Sequence, residues 1–169
     1  MTPTAKRLTG WVAAVAIALL TAYSGWAYGS ARDDGDRTYA ETRDAVLDAG
    51  RDQIARLNSI DGDNVEEGLR GWLDASTGPL HDQLLRTKDK DGTTLQKLGS
   101  TARGTVTDAA VTQLDTRAGT AKVIATLKVE ITPRTGAPAT DRKRFEAGLA
   151  RTGGDWKLTS LNAIAVGAS

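Results

Sequence analysis

The chain has 169 residues, with 22 Lys and Arg against 21 Asp and Glu, one histidine and no cysteine. A near-neutral balance without a basic stripe argues against nucleic acid as a partner, and one histidine without cysteine excludes a His/Cys metal site or a Cys–His catalytic pair. Lys6, Arg7 and Arg32 precede residue 33, and every acidic residue lies at or after it, which leaves 19 basic against 21 acidic residues, a formal charge of −2, in residues 33–169.

The most informative stretch is residues 8–28, LTGWVAAVAIALLTAYSGWAY, which contains no charged residue. As a helix that rises 1.5 Å per residue it would span about 31 Å, the thickness of a bilayer core. Aromatic residues, which prefer the headgroup level, stand near both ends: Trp11 at one, and Tyr23, Trp26 and Tyr28 at the other. The pattern predicts a transmembrane helix over residues 8–28, preceded by a short cytoplasmic tail, residues 1–7, and followed by a linker, residues 29–36.

A cleaved signal peptide is the alternative for this segment, because cleavage after Ala31 in the sequence Gly29-Ser30-Ala31 would be tolerable. Signal peptides have an apolar run of about 7–15 residues, and the run here is longer, so we favour an uncleaved anchor. The Lys and Arg counts at the two ends do not fix the orientation, but an N-terminal hydrophobic segment normally leads a following domain across the membrane. We therefore predict a single-pass plasma-membrane protein whose domain, residues 37–169, is extracytoplasmic.

Three helices are predicted in the first half of this domain. Apolar or small residues recur near the helical period from about 37 to 60, and Asp61-Gly62-Asp63 is expected to end the first helix with Gly62 in the left-handed conformation. Asn64 and Glu67 have the spacing of a capping box for a second helix. Its buried side is predicted to consist of Leu69, Trp72 and Leu73.

The third helix is predicted to start at Pro79, which suits a first helical turn, and to present an apolar face. That face consists of Leu80, Leu84 and Leu85. Residues 88–92, KDKDG, are interpreted as a loop, and residues 93–99 as one or two further helical turns.

After Ser100 the apolar period changes to two, which is typical of strands. Four strands are predicted, with these apolar positions: Val106, Val111 and Leu114; Ala121, Val123, Ala125, Leu127, Val129 and Ile131; Phe145, Ala147 and Leu149; Trp156, Leu158 and Leu161. The first alternates imperfectly, so a bulge is expected there, and turns are predicted at 116–119 and at Gly153-Gly154-Asp155, with a loose connection at 133–138. This order predicts an α+β domain with about three helices packed on a curved four-stranded antiparallel sheet.

The order of elements and the closing hairpin around Gly153-Gly154-Asp155-Trp156 resemble the nuclear transport factor 2-like (SnoaL-like) superfamily. More narrowly, an N-terminal anchor leading into such a domain is similar to the Mce-associated membrane proteins of actinobacteria. This resemblance implies a non-catalytic accessory or scaffold protein of an Mce-type lipid transport system, with protein partners in an envelope complex. The alternatives are a scaffold component of a type IV secretion or conjugation-like envelope complex, and a protein that binds or isomerises a hydrophobic small molecule.

The superfamily fold implies a cone with an apolar interior. The candidates for its lining are Trp72, Val123, Leu127, Val129, Phe145, Leu149 and Trp156. Enzymes of the superfamily usually place Asp, His, Tyr or Arg inside the cone, and no acid or base stands on the buried faces of the second and third strands, so we predict no catalytic residue, cofactor or metal ligand. An apolar cone is suited to a lipid, but the same residues are needed as core, which we favour. His81 is expected to be a surface or capping residue rather than a base.

Overall fold

The computed structural model describes residues 36–164, and the chain divides into two compact units between Glu41 and Thr42. Residues 36–57 are helical and form α1. Two helices and four strands follow: α2 (Val65–Asp74), α3 (Gly78–Leu98), β1 (Thr101–Asp115), β2 (Thr120–Thr132), β3 (Ala139–Thr152) and β4 (Asp155–Ala163). The strands form one antiparallel sheet in the order β1-β2-β3-β4. The predicted α+β class, with three helices and a four-stranded antiparallel sheet, is confirmed.

The predicted transmembrane segment, residues 8–28, lies outside the described residues, as does the tail that precedes it. None of the helices in residues 36–164 combines the length and the apolar character that crossing a bilayer requires. The features below belong to the second unit, from Thr42 to Ile164.

The main core forms between α1 and one face of the sheet. Every second side chain of β2 from Ala121 to Val129 is buried, as the two-residue period predicted. Val46 and Ile54 of α1 are fully buried in the same cluster. Gly50 lies between them, and a Cβ at this position would be 3.3 Å from Cγ2 of Val123. The helix backbone therefore packs directly on β2.

The end of α1 differs from the prediction in two respects. The helix stops at residue 57 rather than about 60, and the side chain of Asn58 donates to the carbonyl of Ile54 at 2.9 Å, a bond that competes with further helical turns. The predicted left-handed conformation of Gly62 is wrong, because its φ is not positive. Glycine is needed there for space, since a Cβ would lie 2.7 Å from the backbone of Gly99.

The start of α2 is where the sequence placed it, but the capping differs. The Asn64 side chain makes no hydrogen bond to the helix backbone. Its Nδ2 donates to Oε2 of Glu67 at 2.5 Å, so the two side chains of the predicted capping box bond to each other. The first turn is closed by the backbone, where Gly68 N donates to the carbonyl of Asn64 at 3.3 Å.

The helix α3 is continuous over 21 residues, so the predicted loop at residues 88–92 is wrong. Its glycine, Gly92, is buried against α2, and a Cβ there would lie 3.1 Å from Cδ1 of Leu69. The glycine therefore marks a close helix contact rather than a turn. The helix ends at Gly99, whose φ of +56° is the left-handed C-cap conformation. Leu85, predicted to be on the apolar face, is 50% exposed.

The strand connections follow the sequence prediction. β1 contains two register shifts, around Thr107 and Thr112, which confirms the expected bulging. Residues 116–119 form the first turn, and the β3–β4 hairpin closes through Gly153 and Gly154, with φ of +63° and +102°. Only glycine adopts such angles without strain.

Short segments from the helical half of the domain cover part of each sheet edge. Ile60 exchanges two backbone hydrogen bonds with Ala102 of β1, at 2.9 and 2.8 Å. On the opposite edge, Leu158 N of β4 donates to the carbonyl of Ala75 at 3.0 Å, and Thr77 N donates to the carbonyl of Leu158 at 2.8 Å. These bonds tie the connections between helices to the sheet.

Candidate functional site

Six of the seven predicted lining residues belong to one packed cluster. They are Val123, Leu127, Val129, Phe145, Leu149 and Trp156, and all are buried. Val46 and Ile54 of α1 belong to the same cluster, and Leu80 of α3 packs against it. Side chains of the domain itself therefore fill the face of the sheet on which a ligand of the cone would lie.

The seventh residue, Trp72, lies apart from the others. It packs on a second, smaller cluster formed by Ile60, Val65 and Leu69. Its Nε1 donates to the carbonyl of Ser59 at 2.9 Å, which ties α2 to the segment after α1. The structure thus places Trp72 at the junction of α1, α2 and β1 rather than among the other six.

One polar side chain of α1 reaches the main cluster beside β4. Nε2 of Gln53 donates to the backbone carbonyl of Trp156. Trp156 is only 4% exposed, and the guanidinium of Arg151 lies over its ring, 5.3 Å from the centroid, in a cation–π arrangement. Within the described residues, Oε1 of Gln53 and Nε1 of Trp156 are both buried and have no hydrogen-bond partner.

Sequence reasoning missed Gln53. A signal was present in its spacing, because Gln53 follows Val46 by seven residues and Gly50 by three, and these intervals place all three on one helix face. A polar residue on the buried face of a helix needs a partner. The partner, Trp156, is distant in the sequence and could not be identified from it.

His81 caps the end of α2, as predicted. Its Nδ1 lies 3.0 Å from the carbonyl oxygen of Leu73 and 3.3 Å from Oγ of Ser76. The Ser76 hydroxyl donates to the same carbonyl at 3.1 Å and is buried. A buried hydroxyl that is already bonded to a helix carbonyl is not an accessible nucleophile, so the pair has the geometry of a cap.

Charged groups do not enter the core. Of the residues that the structure describes, Ser76 is the only buried polar or charged one. In the same part of the chain, no three His, Asp or Glu side chains are grouped so as to hold a metal ion. The described interior therefore contains no acid, base or metal ligand.

A groove of about 550 Å³ opens where the end of α1, α2 and the start of β1 meet. Its charges are balanced, with Arg56 and Arg103 against Asp61 and Glu67. Three of the four already have partners: Arg56 pairs with Asp52 at 3.3 Å, Asp61 accepts from Asp63 N at 3.0 Å, and Glu67 accepts from Asn64. The groove is thus a polar surface without a dominant charge.

No protein-family model matches the sequence, and no curated protein matches it either. Solved structures do match its fold. The periplasmic domain of DotI superposes with a TM-score of 0.61 at 10% identity, covering 73% of this chain and 95% of that one. An IcmL-like type IV secretion system protein from Legionella pneumophila gives 0.60 at 12% identity, covering 75% and 95%. CagV, a VirB8 homologue of the type IV secretion system from Helicobacter pylori, gives 0.57 at 9% identity, covering 73% and 98%.

Identities this low establish a shared fold and not a shared activity. The fold itself is clear, because the likeness covers nearly the whole of each of the three solved chains. The described domain has a cone fold of the nuclear transport factor 2-like kind, and it shares this fold with the VirB8 homologue, the IcmL-like protein and the DotI domain.

Proposed function

We propose that this chain is a non-catalytic, membrane-anchored scaffold protein of an envelope complex of the type IV secretion or conjugation kind. Its domain would lie outside the plasma membrane, held by the segment at residues 8–28. The observation that carries the proposal is that the domain's own side chains fill the interior of the cone. Val123, Leu127 and Leu149 are at most 1% exposed, and Val46 and Ile54 of α1 belong to the same packed cluster.

A filled cone favours a scaffold over an enzyme or a lipid carrier. A binding pocket for a small molecule needs a concavity of several hundred Å³ lined by apolar groups with a few polar ones, whereas the described apolar interior is occupied by the domain's own side chains. Catalysis within the cone would require an acid or base there, and the buried residues of the described chain supply none.

The fold comparisons favour one kind of envelope complex over another. Two of the three solved structures are type IV secretion system proteins and the third is a periplasmic domain. None of the three concerns Mce lipid transport. The scaffold role that the sequence suggested as an alternative therefore has more support than the Mce-associated role that it suggested first.

The test is to identify the proteins that accompany the chain in its own host. Full-length tagged protein would be crosslinked in cells, extracted in mild detergent and analysed by mass spectrometry. We expect components of a translocation channel or its ATPase to be enriched. Recovery of Mce substrate-binding proteins or their permease would restore the first hypothesis, and recovery of the chain alone would contradict both.

A control variant separates the role of the domain from that of the anchor. Leu127→Asp places a charge at a fully buried position of β2, which should unfold the domain and leave residues 8–28 unchanged. We expect this variant to remain in the membrane fraction and to lose its partners. If the variant recovers the same partners, the folded domain is not what binds them.

A further inference from the structure

We infer that residues 139–143, the first part of β3, are a docking edge for an extended acidic segment of a partner protein. The segment would add to the sheet as a further strand, in line with β4. β2 pairs with β3 from Ala139 to Ala150, whereas β4 pairs with it only from Phe145 onward. Among the described residues, 36–164, no strand therefore lies on the other side of the docking edge.

The backbone of the docking edge offers hydrogen bonds to an added strand. Successive residues of a strand direct their N–H and C=O groups alternately to its two sides. The carbonyl of Arg144 points to the side of β4, where it accepts from Ile164 N at 2.8 Å. The N–H and C=O groups of Arg142 and Thr140 consequently point to the same side, where no described residue bonds to them. An extended chain in this position would satisfy these four groups, as in other cases of recognition by strand addition.

The charge of the docking edge selects an acidic chain. Residues 142–144 are Arg-Lys-Arg and all are exposed. Arg142 lies directly opposite Lys128 of β2, and like charges in this arrangement destabilise a strand pair. Lys128 and Lys143 each have an acidic partner, at 3.0 and 3.9 Å, whereas Arg142 and Arg144 form no ion pair within the described part of the chain. Carboxylates beside these two guanidinium groups would form charge-assisted hydrogen bonds and offset the repulsion.

Other occupants fit the docking edge less well. A second copy of the same edge would bring like charges together, and basic residues on sheet edges prevent such pairing in natural proteins. Nucleic acid and lipid headgroups supply negative charge, but they lack the regular N–H donors and C=O acceptors of a polypeptide backbone. Because side chains of a strand alternate between its faces, the expected segment has an acidic residue at every second position, on the face that Arg142 shares with Lys128.

The inference deepens the proposed scaffold role, on which it rests for the source of the segment, but its test does not require the complex. The probe is a fluorescein-labelled peptide, Thr-Glu-Val-Glu-Val-Glu-Thr, and its binding to the full chain in detergent micelles is measured by fluorescence anisotropy. One control peptide has lysine in place of glutamate, and the other keeps glutamate but has N-methylated amides, which cannot donate. We expect saturable binding of the probe and at least about tenfold weaker binding of each control. Absence of peptide binding would leave the partners recovered by crosslinking unchanged, so the two proposals fail separately.

Three variants locate the peptide on the docking edge. Arg142→Glu reverses one of the unpaired cations and should weaken binding at least about tenfold. Arg117→Glu makes the same change in the turn at residues 116–119, more than a Debye length away, and should alter binding by less than about twofold. Thr140→Pro removes a backbone donor from the open side alone, a change that sheet edges tolerate, and should also weaken binding. The urea midpoint of each variant reports whether it is folded.

Four results would overturn the inference. Equal binding of the N-methylated peptide would show that charge alone holds the ligand. Retained binding by a folded Arg142→Glu or Thr140→Pro variant would place the peptide elsewhere. Binding of single-stranded DNA or phosphatidylglycerol vesicles, but not of the probe, would identify a surface for polyanions instead. Binding by a chain that ends at Ile164, but not by the full chain, would show that residues 165–169 occupy the edge themselves.

Discussion

Truncation of Leu127 to alanine is the perturbation that most directly separates a packed core from an open pocket. Leu127 is 0% exposed, and it lies in the central strand β2, paired with Val106 on one side and Lys143 on the other. The change removes three carbons, worth about 2.4 kcal/mol of transfer free energy at about 0.8 kcal/mol each. Neighbours on two strands and on α1 cannot collapse into the space, so a cavity term raises the total to about 3–4 kcal/mol.

The free energy of unfolding is measured by urea denaturation of the full-length protein in detergent, followed by circular dichroism. For a domain of this size, a loss of about 3 kcal/mol corresponds to a fall in Tm of about 10 °C. Leu85→Ala is the matched control, because it makes the same chemical change at a position that is 50% exposed. We expect it to alter stability by no more than about 0.5 kcal/mol.

An open pocket would give a different result. If Leu127 faced a ligand cavity, its side chain would already lack neighbours on one side, and truncation would cost less than about 1 kcal/mol because no new cavity would form. Equal effects of Leu127→Ala and Leu85→Ala would therefore refute the packed cone and favour the alternative of a protein that binds a hydrophobic small molecule.

Three further predictions follow from individual contacts. Gly104→Ala should destabilise the domain by about 1–3 kcal/mol, since its Cβ would lie 2.9 Å from Cβ of Asn58 and 3.1 Å from the carbonyl oxygen of Ala55. Gly71→Ala, whose Cβ would meet only Arg56 at 3.7 Å, should instead stabilise α2 by about 0.5–1 kcal/mol. Equal effects of the two variants in urea denaturation would contradict the close contact between Gly104 and the end of α1. Trp72→Phe should cost about 1–2 kcal/mol, because the carbonyl of Ser59 loses its 2.9 Å partner, and an unchanged denaturation midpoint would show that this bond contributes nothing. The four ion pairs found within residues 36–164 have side chains 39–71% exposed, so raising NaCl to about 1 M should lower stability by less than about 0.5 kcal/mol. A larger loss in salt-dependent melting would indicate a charge network that these pairs do not form.

The strand half of the domain was predictable from the sequence because its signals are local. Alternation from Ala121 to Val129 identifies β2 and its buried face, and Gly153-Gly154 identifies the last hairpin. Register follows once the turns are known.

The helical half was less predictable because a glycine in a sequence can indicate either a turn or a close contact between segments. Gly62 and Gly92 both stand among aspartates, a composition that usually indicates a turn. In the structure Gly62 faces the backbone of Gly99, and Gly92 faces Leu69. Each is a site of close approach between segments distant along the chain, and only the tertiary structure distinguishes that role from a turn.

The candidate site, too, was only partly predictable from the sequence. The apolar character of the inner face was evident, and six of the seven predicted residues meet in one cluster. Trp72 was wrongly grouped with them because the sequence indicates that a tryptophan on a helix is buried but not which cluster it packs against. Gln53 was missed because its partner comes from β4.

The packing of α1 bears on where a partner can bind. Residues 46, 50 and 54 bring the helix backbone against β2, and Gly104 brings its end against β1. In the proposed scaffold role, recognition falls to the outer surface, where Lys122, Ile124 and Lys128 of β2 alternate with the buried positions. Ile124 is 39% exposed on that face, next to a small depression that Ala110 and Arg144 also line. An occupied interior and an accessible outer face in the same strand are therefore the two observations on which the proposed scaffold role rests.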